Sequence, residues 1–341
     1  MRKLATLRQV NQILTIENAV NIELAKIDGW QCVIKKNEFK AGDLGVYFEI
    51  DSFLPIEDRY EFLRKTSYKK FSDGREGFRL KTMQFRGKLS QGLLLPVNLF
   101  PELTTLELGA DLTDLLKITK YEPPIPVNLS GEVRGYFPSF IRKTDEERIQ
   151  NLPHYFTEFH DLEFECTEKL DGTSCTIYFN NGDYGVCSRN LDLIEDDTNI
   201  FWKIAHQFKI IEMLQHLKQN LGLQTELMGP SINKNPLKLP SLEFFLFNIW
   251  DIDAQKYFLP QQRAQFIHSI NNLIKHVPIV EKCIKIFEKT KTMEALLDYA
   301  KGPSLLNAQA TREGLVFKSV GIIEDTTISF KVVNNEYLLN E

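Results

Sequence analysis

Cysteine is scarce in this chain and carries no metal signature. Five cysteines (Cys32, Cys166, Cys175, Cys187, Cys283) occur among 341 residues, with no Cys-x-x-C pair, which excludes the usual zinc spacings. Three of them fall inside apparent strands, where they read as small buried hydrophobes of a reducing compartment. The six histidines are scattered without metal-ligand spacing and are assigned no chemistry. No apolar run approaches the roughly eighteen residues of a membrane span, and the N-terminus lacks the apolar core of a signal peptide. A soluble, intracellular protein, cytoplasmic by default and without membrane contact, is expected. Internal repeats and low-complexity tracts are missing too. The net charge is only −5, so any affinity for nucleic acid has to come from a local patch.

What is present suits an ordinary globular protein: 43% hydrophobic and 26% charged residues, and enough length for two domains with cores of their own. Residues 1–118 read mainly as short strands, among them Gly29–Ile34, Leu44–Ile50, Phe78–Met83 and Gly92–Leu95. Such spacing predicts a small β-barrel. Between Arg64 and Lys88 stand nine Lys or Arg against two acids, interleaved with Tyr68, Phe71, Phe78 and Phe85. That mixture suits a groove for single strands or nucleic-acid backbone on an OB-like barrel; a solvated loop without a partner is the open alternative. Residues 119–135 carry three prolines and read as a linker.

Beyond the linker, helices and strands mix. The apolar stripe from Ile200 to Leu221 predicts a helix, with further helices over 261–276 and 291–301. Phe244–Trp250 is a continuous apolar run and reads as a buried strand. In "ECTEKLDGTS" (165–174) a short strand runs into Lys169, and Thr173–Phe179 alternates as a second strand. Asn180-Asn181-Gly182 turns that strand into Tyr184–Ser188, a predicted hairpin. Lys169 is therefore expected in a tight inter-strand loop, with Gly172 allowing a close backbone approach.

Three more stretches place charges on, or at the entry of, predicted strands: Glu226 in "LQTELMGP", Glu313 at the entry of the strand in "REGLVFKS" with Lys318 five residues on, and Lys331 in "TISFKVVNN". A charge within a strand is expensive unless paired. Together the set describes phosphoryl transfer to a nitrogen. A lysine nucleophile has to be neutral, and from a pKa of about 10.4 its deprotonation at pH 7 costs roughly 4.6 kcal/mol. Burial, nearby cations and a metal all favour the neutral amine. Lys318 and Lys331 are cations able to hold an α-phosphate. Asp171, Glu226 and Glu313 are hard oxygen donors for Mg2+ or Mn2+, often through retained water. Phe247, on the buried strand, is placed to stack on a purine.

Lys169-Leu170-Asp171-Gly172, with Glu168 before it, resembles the first motif of the covalent nucleotidyltransferases, the polynucleotide ligases and RNA capping enzymes. Ser188-Arg189-Asn190, Glu226, Phe244–Ile249, Glu313–Lys318 and Lys331 resemble, in order, the motifs that follow. The N-terminal barrel, "FPSFIRKTDEERIQNLP" (137–153) and "FNIWDID" after the third motif extend the resemblance, end to end, to the Deinococcus-type ATP-dependent RNA ligases. The resemblance implies an α+β chain: an OB-like β-barrel domain (1–118), a linker (119–135) and a mixed α/β nucleotidyltransferase domain (136–341), ATP-grasp-like and built on antiparallel sheets. It also implies an enzyme that joins 3′-OH and 5′-phosphate ends of nicked RNA duplexes through lysyl-AMP on Lys169, with ATP as substrate and Mg2+ or Mn2+; a monomer is taken by default. Glu168, Arg148, Arg189, Glu226, Phe247, Glu313, Lys318 and Lys331 would bind the nucleotide; Asp171, Glu226 and Glu313 would hold metal-bound water. One departure is Ser329-Phe330-Lys331, where many relatives carry Lys-x-Lys. The acidic run Glu195–Asp197 reads as a solvated loop. Two alternatives remain at this point: a GTP-dependent RNA capping guanylyltransferase, and an OB-type RNA-binding protein whose transferase half is inactive.

Overall fold

Short apolar segments dominate the first third of the chain; some pair with the next strand in sequence, as Ile22–Ile27 does with Trp30–Lys35, and others across long separations, as Ala5–Gln9 does with Leu44–Phe48. The computed structural model describes residues 2–71, 74–104, 107–122 and 132–340. It divides into two compact units: the described residues of 1–124 with 149–153 and 338–341, and those of 125–148 with 154–337. Among the described residues, no helix is long and apolar enough to cross a membrane.

In the first unit, Leu44–Phe48 is a central strand, flanked antiparallel by Ala5–Gln9 and Leu93–Pro96. Its alternation feeds two cores: Val46 and Phe48 pack with Leu7, Leu54, Tyr60 and Phe78, while Tyr47 packs with Trp30, Cys32 and Leu94. Gln12–Thr15, Ile22–Ile27 and Trp30–Lys35 form an antiparallel meander beside them. The basic–aromatic stretch keeps most of its cations exposed (Arg64, Lys65, Lys69, Lys70, Arg75, Arg86 and Lys88), while most of its aromatics are at least partly covered. Phe78 is core, Arg75 lies over Phe71 and Arg64 over Tyr68, and of the four aromatics Phe85 is exposed. Of the expected linker, Thr119–Lys120 pairs with Ser52–Leu54 and Val133–Tyr136 with Leu191–Leu193; residues 123–131 lie outside the described residues.

The second unit is built on two antiparallel-dominated sheets. The larger runs, in spatial order, Val133–Tyr136, Leu191–Leu193, Asp183–Cys187, Thr173–Asn180, Leu221–Met228, Glu243–Asp251, Lys256–Tyr257, with Lys275–His276 added in parallel to Glu243–Asp251. The expected hairpin is present: Asn181 and Gly182 both take positive φ (51° and 91°), as a two-residue loop between twisted strands requires. The smaller sheet is ordered Ile279–Ile284, Phe164–Lys169, Gly314–Ser319, Ser329–Val333. All five cysteines, not three, lie in strands; four are buried, Cys283 is exposed, and all five are free thiols.

The helix expected over 200–221 is two, Ile200–Gln207 and Ile210–Leu217, and Leu221 already belongs to the next strand. The break falls at Lys209, held at φ 52°. Both helices bury their apolar stripe against the same sheet, so the periodicity carries through the break. The helix expected over 261–276 covers only Pro260–Ser269, because Asn271 and Asn272 turn left-handed (φ 53° and 55°) and bring Lys275–His276 into the sheet.

Candidate active site

Register in the smaller sheet decides which charges share a face. Directly opposed residues of paired strands point the same way. Thr167 faces Val316, which faces Lys331, and Glu165 faces Lys318, which faces Ser329. With the period of two, Glu165, Thr167 and Lys169 therefore lie on the face that also carries Lys318 and Lys331. Glu168 lies on the other: its Oε2 accepts the backbone N–H of Leu305 at 2.7 Å, and burial pushes its pKa up. The Glu168 carboxylate, grouped in the sequence reading with the nucleotide ligands, is thus committed to the loop behind the sheet.

Lys169 is the last residue of its strand rather than a loop residue. Its Nζ stands 2.6 Å from Glu313 Oε1, both side chains largely covered. Burial disfavours the ammonium, but Glu313, Glu226 and Asp171 outweigh it and raise the lysine pKa. The carboxylates respond in the complementary way. Glu226 is pushed up to about 8 and Glu313 to about 6, in both cases first by burial, with Lys169 opposing.

Gly172 ties the lysine turn to the larger sheet. Its N–H donates to Glu226 Oε1 at 3.0 Å, and a Cβ there would stand 2.4 Å from both Leu227 O and Met228 Sδ. The close approach expected at this glycine is an approach of protein backbone to protein backbone. Asp171 accepts from Asn233 Nδ2 at 3.0 Å and from the Tyr337 hydroxyl.

A second group gathers on the edge strand. Lys331 Nζ is 3.0 Å from Asp145 Oδ1, and Arg189 Nη2 is 3.5 Å from Asp145 Oδ2. The backbone at Arg148 pairs in parallel with Lys331, whose N–H donates to Glu147 O at 2.8 Å. Lys331, Arg189 and Arg148 are therefore brought to one edge, with Asp145 as the carboxylate that joins the first two.

Lys318 and Phe247 form a third group. Between Gln224 and Thr225 the register of the neighbouring strand shifts, so Phe247 is an extra, bulged residue. A bulge frees the backbone of its ladder partner and re-aims the side chain. Here the Phe247 carbonyl accepts Lys318 Nζ at 2.6 Å, Asn248 Oδ1 accepts it too, and the ammonium lies 5.5 Å from the Phe247 ring centre. Burial, helped by the Arg263 charge, lowers Lys318 to about 7. Arg263 is itself buried, pairs with Glu165, and donates through Nε to His276 Nε2 at 2.7 Å. That residue stays neutral, its pKa lowered to about 3 by burial and by the Arg263 charge. Lys318 thus braces the Phe247 shelf.

Among the described residues, no three His, Cys, Asp or Glu side chains converge closely enough to ligate one ion directly. The donor set nevertheless fits a hydrated divalent cation. Glu313 Oε2 is buried without a hydrogen-bond partner, and three carboxylates face one ammonium, an excess of negative charge that water-mediated metal binding relieves. Glu195 is engaged with His206 at 3.0 Å. Asp145, Asn233, Asn248, Arg263 and Tyr337 were not picked out from sequence: Asp145 and Asn248 lie inside stretches 137–153 and 244–249 but were given no role, and Asn233, Arg263 and Tyr337 lie outside every motif.

Residues 162–333 match a family model described as RNA ligase, and residues 4–97 one described as an OB-fold domain. The latter bears out the expected N-terminal fold. Solved structures of an RNA ligase from Naegleria gruberi are similar along the whole chain. A variant with AMP and Mn is 47% identical, with a TM-score of 0.92, and the match covers 100% of this chain and 99% of that one. A structure with PPi gives the same figures. A variant with ATP and Mn is 47% identical at a TM-score of 0.92, with 99% of both chains covered. No curated protein matches the chain.

Proposed function

Because this chain belongs to the RNA ligase family, we propose that it is an ATP-dependent ligase that seals 3′-OH/5′-phosphate nicks in RNA duplexes through lysyl-AMP on Lys169. We place it with the Deinococcus-type enzymes and take it to act as a monomer on nicked duplex RNA. The observation that carries the reading is the Lys169–Glu313 pair, 2.6 Å apart, in a buried carboxylate cluster with Glu226. Relatives with ATP, AMP, PPi and Mn support ATP as the nucleotide and a divalent cation as cofactor.

Held as an ammonium, Lys169 is inert. The proton it sheds passes first to Glu313 Oε1, the nearest acceptor, and the freed lone pair attacks the α-phosphorus of ATP. The N–P bond forms as the P–O bond to pyrophosphate breaks. Lys331, with Arg148 and Arg189 on the same edge, neutralises charge on the phosphates as it develops. Once nucleotide phosphates arrive, they can take over Arg189 from Asp145. Phe247, braced by Lys318, is the stacking surface for adenine. A bound divalent cation, held through water by Asp171, Glu226 and Glu313, supplies positive charge at the α-phosphate and favours the neutral amine. An oxygen of the RNA 5′-phosphate then attacks the phosphorus of lysyl-AMP, forming a phosphoanhydride as the N–P bond breaks and the Lys169 amine leaves and is reprotonated. The 3′-OH, losing its proton, attacks that 5′-phosphorus, forming the phosphodiester as the bond to AMP breaks and AMP leaves.

The test is label transfer from α-labelled ATP and, separately, GTP, with Mg2+ or Mn2+, read on a denaturing gel beside Lys169→Ala. Acid-labile label from ATP that is lost in the variant supports lysyl-AMP, and a nicked RNA duplex is the next substrate. Label from GTP moves the chain to capping chemistry. No label from either, on folded protein shown by mass to be free of AMP, overturns the enzyme reading and leaves RNA binding alone.

A further inference from the structure

Two side chains outside every motif close on Asp171. Asn233 Nδ2 donates to Asp171 Oδ1 at 3.0 Å and to the Gly172 carbonyl at 2.6 Å, and the Tyr337 hydroxyl donates to Asp171 Oδ2. Each carboxylate oxygen therefore receives one directed donor and keeps a lone pair for a further partner.

Both donors are held by unusual local structure. Asn233 sits in a segment where Ser231, Asn233, Lys234, Asn235 and Lys238 all have positive φ (69°, 43°, 61°, 51° and 52°). Left-handed backbone at serine and lysine is costly, and such clusters persist only where the surroundings over-determine them. Here Ile232 and Leu237 are buried anchors on either side of Asn233, and the Asn235 side chain closes the turn by bonding both N–H and C=O of Leu239 at 2.9 Å. Tyr337 rides on the helix Asn335–Asn340. The residue before it, the buried Asn334, donates its N–H to Glu313 O at 2.8 Å and its Nδ2 to Arg312 O at 3.1 Å. The hydroxyl on Asp171 and the carboxylate on Lys169 are thus tethered to one stretch of backbone.

We propose that Asn233 and Tyr337 are positioning residues for adenylylation, a two-donor clamp that fixes the Asp171 carboxylate toward the hydrated metal. The inference rests on the lysyl-AMP reading and deepens it. Neither residue touches the reacting atoms; both act through Asp171. An aspartate one bond rotation away from its water ligands would still bind them, but in several geometries rather than one.

The experiment uses full-length Tyr337→Phe, which removes only the hydroxyl, and Asn233→Gly, which removes the donor while accepting the positive φ without strain. Three quantities are read: the Mn2+ dissociation constant of the protein–AMP complex by electron paramagnetic resonance, kcat and ATP KM for label transfer, and the unfolding midpoint. Each variant is expected to weaken Mn2+ binding and lower kcat on the order of tenfold, as loss of an outer-shell partner does, with ATP KM and the unfolding midpoint near wild type. A purely structural role would move the midpoint and leave Mn2+ affinity alone. The proposal is overturned if both variants keep wild-type Mn2+ affinity and kcat, or lose them only in step with their stability. Should the wild-type chain itself take no label, the adenylylation reading fails instead, and the Mn2+ affinities still decide whether the clamp exists.

Discussion

The amine of Lys169 and the carboxylate of Glu313 are an ion pair at 2.6 Å, so the free protein holds its candidate nucleophile in the unreactive, protonated form. Two opposite effects of Glu313→Gln follow. With its strongest electrostatic partner gone, Lys169 becomes easier to deprotonate, and it should react faster with an amine-directed acylating reagent at pH 8, read by peptide mass spectrometry. Lysyl-AMP formation should nonetheless fall about 100-fold, because the same carboxylate orients the hydrated metal. Unchanged acylation of Lys169 would show that Glu313 is not what keeps it charged.

Glu226 makes stability depend on pH in an unusual direction. Burial raises its pKa from the ordinary carboxylate range to about 8, so between roughly 4.5 and 8 the folded state binds more protons than the unfolded one. Stability carried by this group is therefore lost as pH rises through that window. Glu226→Gln keeps an acceptor for the Gly172 N–H and removes the ionisation. Its melting temperature relative to wild type should climb from pH 5 to pH 8 and level off above. A difference that stays flat with pH, measured by scanning calorimetry, would contradict the assignment.

Much of this site was legible because its chemistry is strung along four strands whose period of two is visible in sequence. Lys169 ends the strand Phe164–Lys169, Glu313 immediately precedes Gly314–Ser319 and Lys331 lies within Ser329–Val333, and the pairing of these strands gathers them in one sheet. Glu168 shows the limit. Proximity in sequence suggested a shared role, but the same period of two sends its carboxylate to the opposite face. Lys318 shows another: a one-residue bulge at Phe247 turns a carbonyl toward the lysine, and no pattern in "FFLFNIW" announces it. Asp145, Asn233 and Tyr337 contribute through hydrogen bonds or ion pairs across long sequence separations. In the N-terminal unit three of the four expected strands are found near their expected bounds, whereas Phe78–Met83 divides between Glu76–Arg79 and Thr82–Phe85 of two different sheets, and the basic–aromatic stretch gave no hint that Phe78 belongs to the core.

Gly172 offers a test of how tightly the lysine turn is docked. A methyl group there meets Leu227 O and Met228 Sδ at 2.4 Å and Glu226 Cγ at 2.9 Å, and the carbonyl oxygen cannot swing aside as a flexible side chain would. Gly172→Ala should cost about 1–3 kcal/mol in urea unfolding. It should also abolish most label transfer, because the turn that seats Lys169 has to move away from Glu226. A variant of wild-type stability would mean the turn relaxes freely.

The buried pair of Arg263 and Glu165 gives the sharpest energetic contrast. Arg263 is 1% exposed and Glu165 5%, so neither charge can turn to solvent when its partner is removed. Arg263→Met alone leaves a carboxylate buried and unpaired, and should cost roughly 3–5 kcal/mol. Replacing both, Arg263→Met with Glu165→Leu, removes the stranded charge and should recover most of that loss, since buried ion pairs often exchange for apolar pairs at little net cost. A double-mutant cycle by urea denaturation gives the coupling energy directly. Arg263 lowers the Lys318 pKa and Glu165 raises it, the arginine more strongly, so the double variant should leave Lys318 only slightly more readily charged, with two acceptors, Phe247 O and Asn248 Oδ1, still in place. If ATP KM in that stable double variant stays at the wild-type value, the Lys318 brace holds the Phe247 shelf without help from the arginine; a rise in KM without loss of fold would make the whole buried network part of nucleotide binding.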